Sequence, residues 1–91
     1  MRAIRSLLLS PVDSVAVVLS DAAKGDRIEV PAIGEVVAWT DIPAGHKVAI
    51  SPIGEGEVVI KYGEQIGVTS RPIARGDHVH VQNLRSARAG A

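Results

Sequence analysis

Three histidines, two lysines and one tyrosine are the side chains of this sequence best suited to chemistry. His78 and His80 stand two apart in Asp77-His-Val-His-Val-Gln82. On a strand such a pair faces one side, because side chains alternate with a period of two. Two imidazoles so placed can share a metal ion or an anionic ligand, or they can form no more than the polar face of an exposed strand. His46 follows Gly45 as Asp77 follows Gly76, so a fold that joins those two turns would bring His46 to the pair. The chain lacks the full ligand set of a closed zinc site, and a catalytic metal would draw ligands from elsewhere.

Lys47, Lys61 and Tyr62 form a second group. An ammonium near a phenol suits a carboxylate or a polyhydroxy acid: the lysine supplies charge and the tyrosine a directional hydrogen bond. The same residues also fit a bland role, since strand-end lysines are ordinarily solvated and a single tyrosine ordinarily packs. Asp21, Asp41, Asp77, Glu55, Glu57 and Glu64 are scattered over turns, and no two form an acid–base pair by spacing. The sequence holds no nucleophile elbow, P-loop or dinucleotide fingerprint. It holds no cysteine, which excludes disulfides, thiolate metal sites and thiol nucleophiles and is compatible with a reducing cytoplasm.

The elements that must position these groups belong to one small domain. The chain has 91 residues, of which 46% are hydrophobic, enough for one core and no second. Trp39 and Tyr62 are its only aromatics, too few for base-stacking platforms. Ten basic residues balance ten acidic ones, so there is no general phosphate-backbone stripe and no nucleic-acid partner is expected. Pro11 and Asp13 interrupt the leucines at 7–9 too early for a signal peptide, and the apolar run Val15 to Leu19 is far too short to span a bilayer. No membrane partner is expected either.

Self-similarity is the clearest internal signal. Four segments, beginning at Asp21, Asp41, Pro52 and Pro72, each run through a turn closed by glycine to an apolar residue three positions later. The glycines stand at 25, 45, 56 and 76, spacings that suggest two related halves. Frequent glycine and proline between short apolar runs predict a mostly β, compact barrel-like or clip-like fold. The expected strands are 4–9, 26–30, 35–39, 47–50, 58–62, 66–69 and 78–82, with a hairpin turn at Tyr62-Gly63-Glu64-Gln65. At most one short helix competes, over Ser14–Ala23, with Asp13 as its N-cap and Gly25 past its end. The β-branched Val15, Val17 and Val18 favour strand, but the caps at both ends tip the expectation to a short helix. Residues 1–84 are expected to form the domain, and 85–91 a flexible C-terminal tail.

Three motifs in order change the functional reading: Asp41-Ile-Pro-Ala-Gly-His-Lys-Val-Ala49, Val59-Ile-Lys-Tyr-Gly-Glu-Gln-Ile-Gly67 and Gly76-Asp-His-Val-His-Val-Gln-Asn83. Together with Pro11-Val-Asp-Ser-Val-Ala-Val17, they resemble the N-terminal SAF domain of the altronate and galactarate dehydratase family, a β-clip fold. The resemblance covers roughly residues 3–84.

The resemblance implies a cytoplasmic lyase that removes water, or sulfite, from a small 2-hydroxy acid with the help of a divalent metal, commonly Fe2+. Members of that family carry this domain either fused to a large catalytic region or as a separate small subunit. The resemblance implies the second arrangement, with a larger catalytic subunit that holds most of the metal's ligands and this chain inactive alone, although a domain cut from the first would read the same. By the same resemblance His46, Lys47, Lys61, Tyr62 and Gln82 would contact substrate, and His78 and His80 would serve metal binding or proton transfer. The family often has a third histidine where this sequence has Gln82, which is a poor metal ligand. If the strand continues to residue 82, Gln82 shares a face with His78 and His80 and would read substrate hydroxyls. Two other readings are a stand-alone β-clip module binding an acidic sugar or similar carboxylate, and an interaction domain in which the histidines do nothing.

Overall fold

The computed structural model describes residues 3–86, whose regular structure is entirely β. The strands are β1 (Ala3–Leu7), β2 (Val15–Val18), β3 (Arg27–Val30), β4 (Gly34–Val37), β5 (Lys47–Ala49), β6 (Val58–Lys61), β7 (Glu64–Thr69), β8 (His78–Val79) and β9 (Leu84–Ser86). They form a six-stranded sheet in the order β4-β3-β1-β2-β5-β8 and a three-stranded sheet in the order β6-β7-β9. All pairs are antiparallel except β1 with β3. No helix is long and apolar enough to cross a membrane among these residues.

The helix expected over Ser14–Ala23 is absent; Val15–Val18 is the strand β2. The physical reason is burial on both sides. Val15, Ala16 and Val18 are all buried, between β1 and β5, and β-branched side chains suit such a two-sided strand. Asp13 caps no helix. Its carboxylate is buried and accepts hydrogen bonds from the amides of Ser10 (3.1 Å), Tyr62 (3.1 Å) and Gly63 (2.9 Å).

That contact fixes the hairpin expected at Tyr62. Lys61 pairs with Glu64 across a two-residue turn, and Tyr62 and Gly63 both have positive φ, at 57° and 73°. This is the backbone of a type I′ turn, whose twist suits the flanking strands. Glycine adopts it freely, whereas Tyr62 is held there by the buried Asp13.

The repeat is real in three dimensions. Ala22 and Ile42 form an isolated antiparallel bridge, and so do Ile53 and Ile73. Each of the four segments therefore pairs with one other, giving two halves built alike. In each half the bridged residues exchange two backbone hydrogen bonds of 2.8–2.9 Å. The amide after each turn glycine bonds to a carbonyl three residues back, at Ala23, Pro43, Gly54 and Ala74. Gly76 is required as glycine. Its φ is +87°, and a Cβ there would collide with the carbonyl oxygen of Val37.

Two apolar clusters fill the halves. One gathers Ile4, Val18, Ile28, Val36, Ile42 and Val48, and the other Val15, Ala49, Ile53, Val59, Ile73 and Val79. Strands β2 and β5 contribute to both, with successive residues facing opposite ways. The expected strand over 78–82 stops at Val79, because residues 80–83 turn back. Arg85 and Ser86 pair with Val68 and Gly67 in the second sheet. The rest of the expected tail, residues 87–91, lies outside the described residues.

Candidate functional site

The site lies on the seam between the halves. Strand β5 pairs with β8 so that Lys47 stands opposite Val79 and Val48 opposite His78. This register carries His46, just before β5, to the histidines of β8. His46 Nδ1 and His78 Nε2 are 2.8 Å apart. Ring centroids lie 5.0 Å apart for His46 and His78, 4.5 Å for His46 and His80, and 5.4 Å for His78 and His80. One ring nitrogen from each of the three falls within 4.8 Å of the others, and all three side chains are half-buried.

Local sequence explains why His46 is available. The residue after the turn glycine is Asp26 or Glu57 in two other segments, and its carboxylate accepts from the amide three positions back, of Ala23 or Gly54. In the His46 segment that position is Pro43, which has no N–H to satisfy. A carboxylate is not needed there, and the position carries an imidazole directed at β8 instead.

Hydrogen bonds around β8 hold the other two histidines. Thr40 Oγ1 donates to Asp77 Oδ1 (3.1 Å), and the His78 amide donates to Thr40 Oγ1 (3.1 Å) and Asp77 Oδ1 (2.9 Å). Asn83 is fully buried. Its Oδ1 accepts from the His80 amide (2.9 Å) and its Nδ2 donates to the His78 carbonyl (2.7 Å). That pair of bonds ends the strand after Val79. Gln82 consequently meets His78 across a turn and not along a strand face, with Nε2 3.3 Å from His78 Nδ1. The expected period-two alignment of Gln82 is corrected accordingly.

Beside the histidines runs a groove lined by Lys47, Lys61, Ile66, His80, Val81 and Leu84. Its walls are apolar, and its polar groups are two ammoniums and one imidazole. Among the described residues no carboxylate forms an ion pair with either lysine. Burial, and then the charge of Lys61, holds the Lys47 ammonium below the ordinary lysine value. Two adjacent cations in an apolar groove favour an anion that would neutralise them. Tyr62 stands outside the groove, 62% exposed, joined to it only by Lys61 Nζ lying 5.0 Å from its ring centroid.

His78 is held below the ordinary imidazole value, first by burial, then by His46 and His80, with Lys47 adding to the effect and Asp77 opposing it. It is therefore neutral near pH 7, as ligation or proton acceptance requires. The three-imidazole set fits a divalent first-row metal such as iron or zinc by ligand type. At 2.8 Å the His46 and His78 nitrogens stand closer than the ~3.4 Å between tetrahedral ligands bound at ~2.1 Å, so taking up an ion would part the two rings slightly.

The residues singled out from sequence are thus brought together, apart from Tyr62 at the margin. Thr40 and Asn83, which hold the β8 histidines, were not singled out as site residues, and Asp13, expected as a helix N-cap, instead anchors the Tyr62 turn. Asn83 had one hint, as the polar residue ending the His-Val-His run.

A small all-β domain of two similar halves, with an imidazole cluster and a cationic groove on their seam, is the class these features define. Residues 4–87 match the altronate/galactarate dehydratase SAF domain, and the chain belongs to that family. It is 38% identical over 74 residues to altronate dehydratase of Bacillus subtilis, covering 81% of this chain and 15% of that protein. With altronate dehydratase of Escherichia coli the identity is 43% over 75 residues, covering 82% and 15% respectively. It is 43% identical over 53 residues to the (2R)-sulfolactate sulfo-lyase subunit alpha of Paracoccus pantotrophus, covering 58% of this chain and 79% of that subunit. The chain thus spans about a seventh of the dehydratases and most of the sulfo-lyase subunit.

Proposed function

We propose that this chain is the small subunit of a cytoplasmic, metal-dependent hydroxy-acid lyase, and that it completes the active site of a larger catalytic subunit. The observation that carries the proposal is the convergence of His46, His78 and His80 beside the Lys47–Lys61 groove. The similarity to a sulfo-lyase alpha subunit supports a separate small chain, and the similarity to altronate dehydratases supports elimination from a hydroxy acid.

The reaction removes the proton beside a carboxylate and expels water or sulfite from the next carbon, leaving an enol that becomes a 2-oxo acid. Lys47 and Lys61 hold the substrate carboxylate in the groove, where apolar walls strengthen the attraction. His80 lines that groove and moves a proton between substrate and solvent. His46 and His78 would hold a divalent metal, commonly iron, together with ligands from the larger subunit. When bound, such an ion supplies Lewis-acid stabilisation of the enolate oxygen and the leaving group. Tyr62 steadies Lys61 from outside the groove.

The test is to purify the tagged chain from cells that also express its neighbouring gene products, then assay any larger partner with it. Altronate, galactarate and sulfolactate would be offered with Fe2+. Turnover is expected only from the pair, and His78→Ala with His80→Ala should lower it by about 100-fold or more while the chain stays folded. Undiminished turnover by the double variant overturns the site. A chain that returns alone and binds sugar acids alone is a stand-alone binding module instead.

A further inference from the structure

Gln82 has no place in the chemistry above, yet its amide lies on the one ring nitrogen of His78 that faces away from His46. Its Nε2 is 3.3 Å from His78 Nδ1 and 3.3 Å from the His78 carbonyl oxygen. The group between a carbonyl oxygen and a ring nitrogen is the amide NH2, since two carbonyl oxygens repel. The NH2 has two hydrogens and can donate to both. A neutral imidazole that accepts at Nδ1 carries its proton on Nε2. Nε2 of His78 is the atom 2.8 Å from His46 Nδ1, so the proton lies between the two rings and closes the pair.

We propose that Gln82 is a positioning residue that sets the tautomer of His78 and thereby opposes capture of a metal ion by the histidine cluster. The inference rests on the reading of that cluster as a metal site. An ion held between His46 and His78 needs the Nε2 lone pair, and the ring proton must then sit on Nδ1. A donor at Nδ1 clashes with the Gln82 NH2, so the amide has to turn and present its oxygen. The turn gives up the Gln82 bond to the His78 carbonyl and must swing the amide oxygen away from it, while that carbonyl keeps a donor in Asn83 Nδ2 at 2.7 Å. Outer-shell partners that fix a histidine ligand commonly change metal affinity by about 10–100-fold. An amide can serve either tautomer, whereas a carboxylate at this position accepts only and favours the proton on Nδ1.

The experiment uses the 91-residue chain with Zn2+ as the probe, and reads ring-nitrogen NMR shifts at mildly alkaline pH. In the wild type, His78 is expected to show a bare Nδ1 and a protonated Nε2. Gln82→Glu should move the proton to Nδ1 and tighten Zn2+ binding by about tenfold. Gln82→Ala, which changes no charge, should give mixed tautomers and an affinity between the other two. Backbone amide spectra confirm that each variant is folded. A wild-type His78 already protonated at Nδ1, or a tautomer unmoved by both substitutions, overturns the proposal. So does a Zn2+ affinity unmoved in Gln82→Ala. These readouts need no catalytic partner, so a failed lyase assay beside a shifted tautomer rejects the functional reading alone.

Discussion

The two halves of this domain share a plan and differ in what stands before the bridged residues. In the first half, Asp21 Oδ1 accepts from the Ala44 amide (2.8 Å) and Asp41 Oδ1 from the Lys24 amide (2.8 Å), a reciprocal pair across the Ala22–Ile42 bridge. In the second, Pro52 and Pro72 occupy the corresponding places beside the Ile53–Ile73 bridge. Before the bridged residues, one half places side chains that hydrogen-bond to the facing segment and the other places prolines, whose φ is preset. The candidate site lies on the seam, where one segment from each half contributes histidine. The lesson is that a duplicated scaffold can hold its shape with interchangeable devices and free single positions for a site.

Core truncation gives the largest effect with which to break this comparison. Ile42→Ala and Ile73→Ala each remove a buried side chain from a different cluster, and each is expected to cost about 2–5 kcal/mol. Urea unfolding followed by circular dichroism should show one transition lowered by either change, because β2 and β5 belong to both clusters. Two separated transitions would show that the halves fold independently. Asp13→Ala comes next. It leaves the amides of Ser10, Tyr62 and Gly63 without their acceptor, at about 1–3 kcal/mol. The exchange of the Tyr62 and Gly63 amides with deuterium should quicken with it, and unchanged protection would remove Asp13 as the anchor of the hairpin.

Asp21→Ala combined with Asp41→Ala should cost less, about 1 kcal/mol, since both residues are exposed. A loss as large as that of a core truncation would contradict the view that the prolines do the same work in the other half. The smallest effect is on the seam. His78 resists protonation in the folded chain relative to its ordinary value of 6.5, so the unfolded chain binds the extra proton first. Its contribution to stability is present above pH ~6.5 and falls as pH drops toward its lowered folded value. His78→Gln should flatten that acid limb of a denaturation profile. A limb as steep as that of the wild type would move the cause to other groups.

Much of this was legible in the residues themselves. Glycine every so often, proline before apolar pairs and Val-rich runs dictate short strands and turns, because those preferences act within a few residues. The spacing of the turn glycines disclosed the two halves, and the strands around Ile28, Val36, Val48 and Val59 followed from alternation. Val15–Val18 could not be read so directly. A short apolar run suits a buried strand or one turn of helix, and only flanking by β1 and β5 decides between them. The end of β8 was equally hidden, since it depends on the buried Asn83 closing onto His78 and His80.

The sequence by itself thus determined the fold class, the repeat and the candidate residues His46, Lys47, Lys61, His78 and His80. Tertiary structure alone decided that His46 meets His78 at 2.8 Å, that Tyr62 is left outside the groove and that Gln82 addresses a ring nitrogen. The physical reason is range. Turn and strand preferences are local, whereas pairing two segments 32 residues apart depends on the register of β5 against β8, which the packing of both halves sets together.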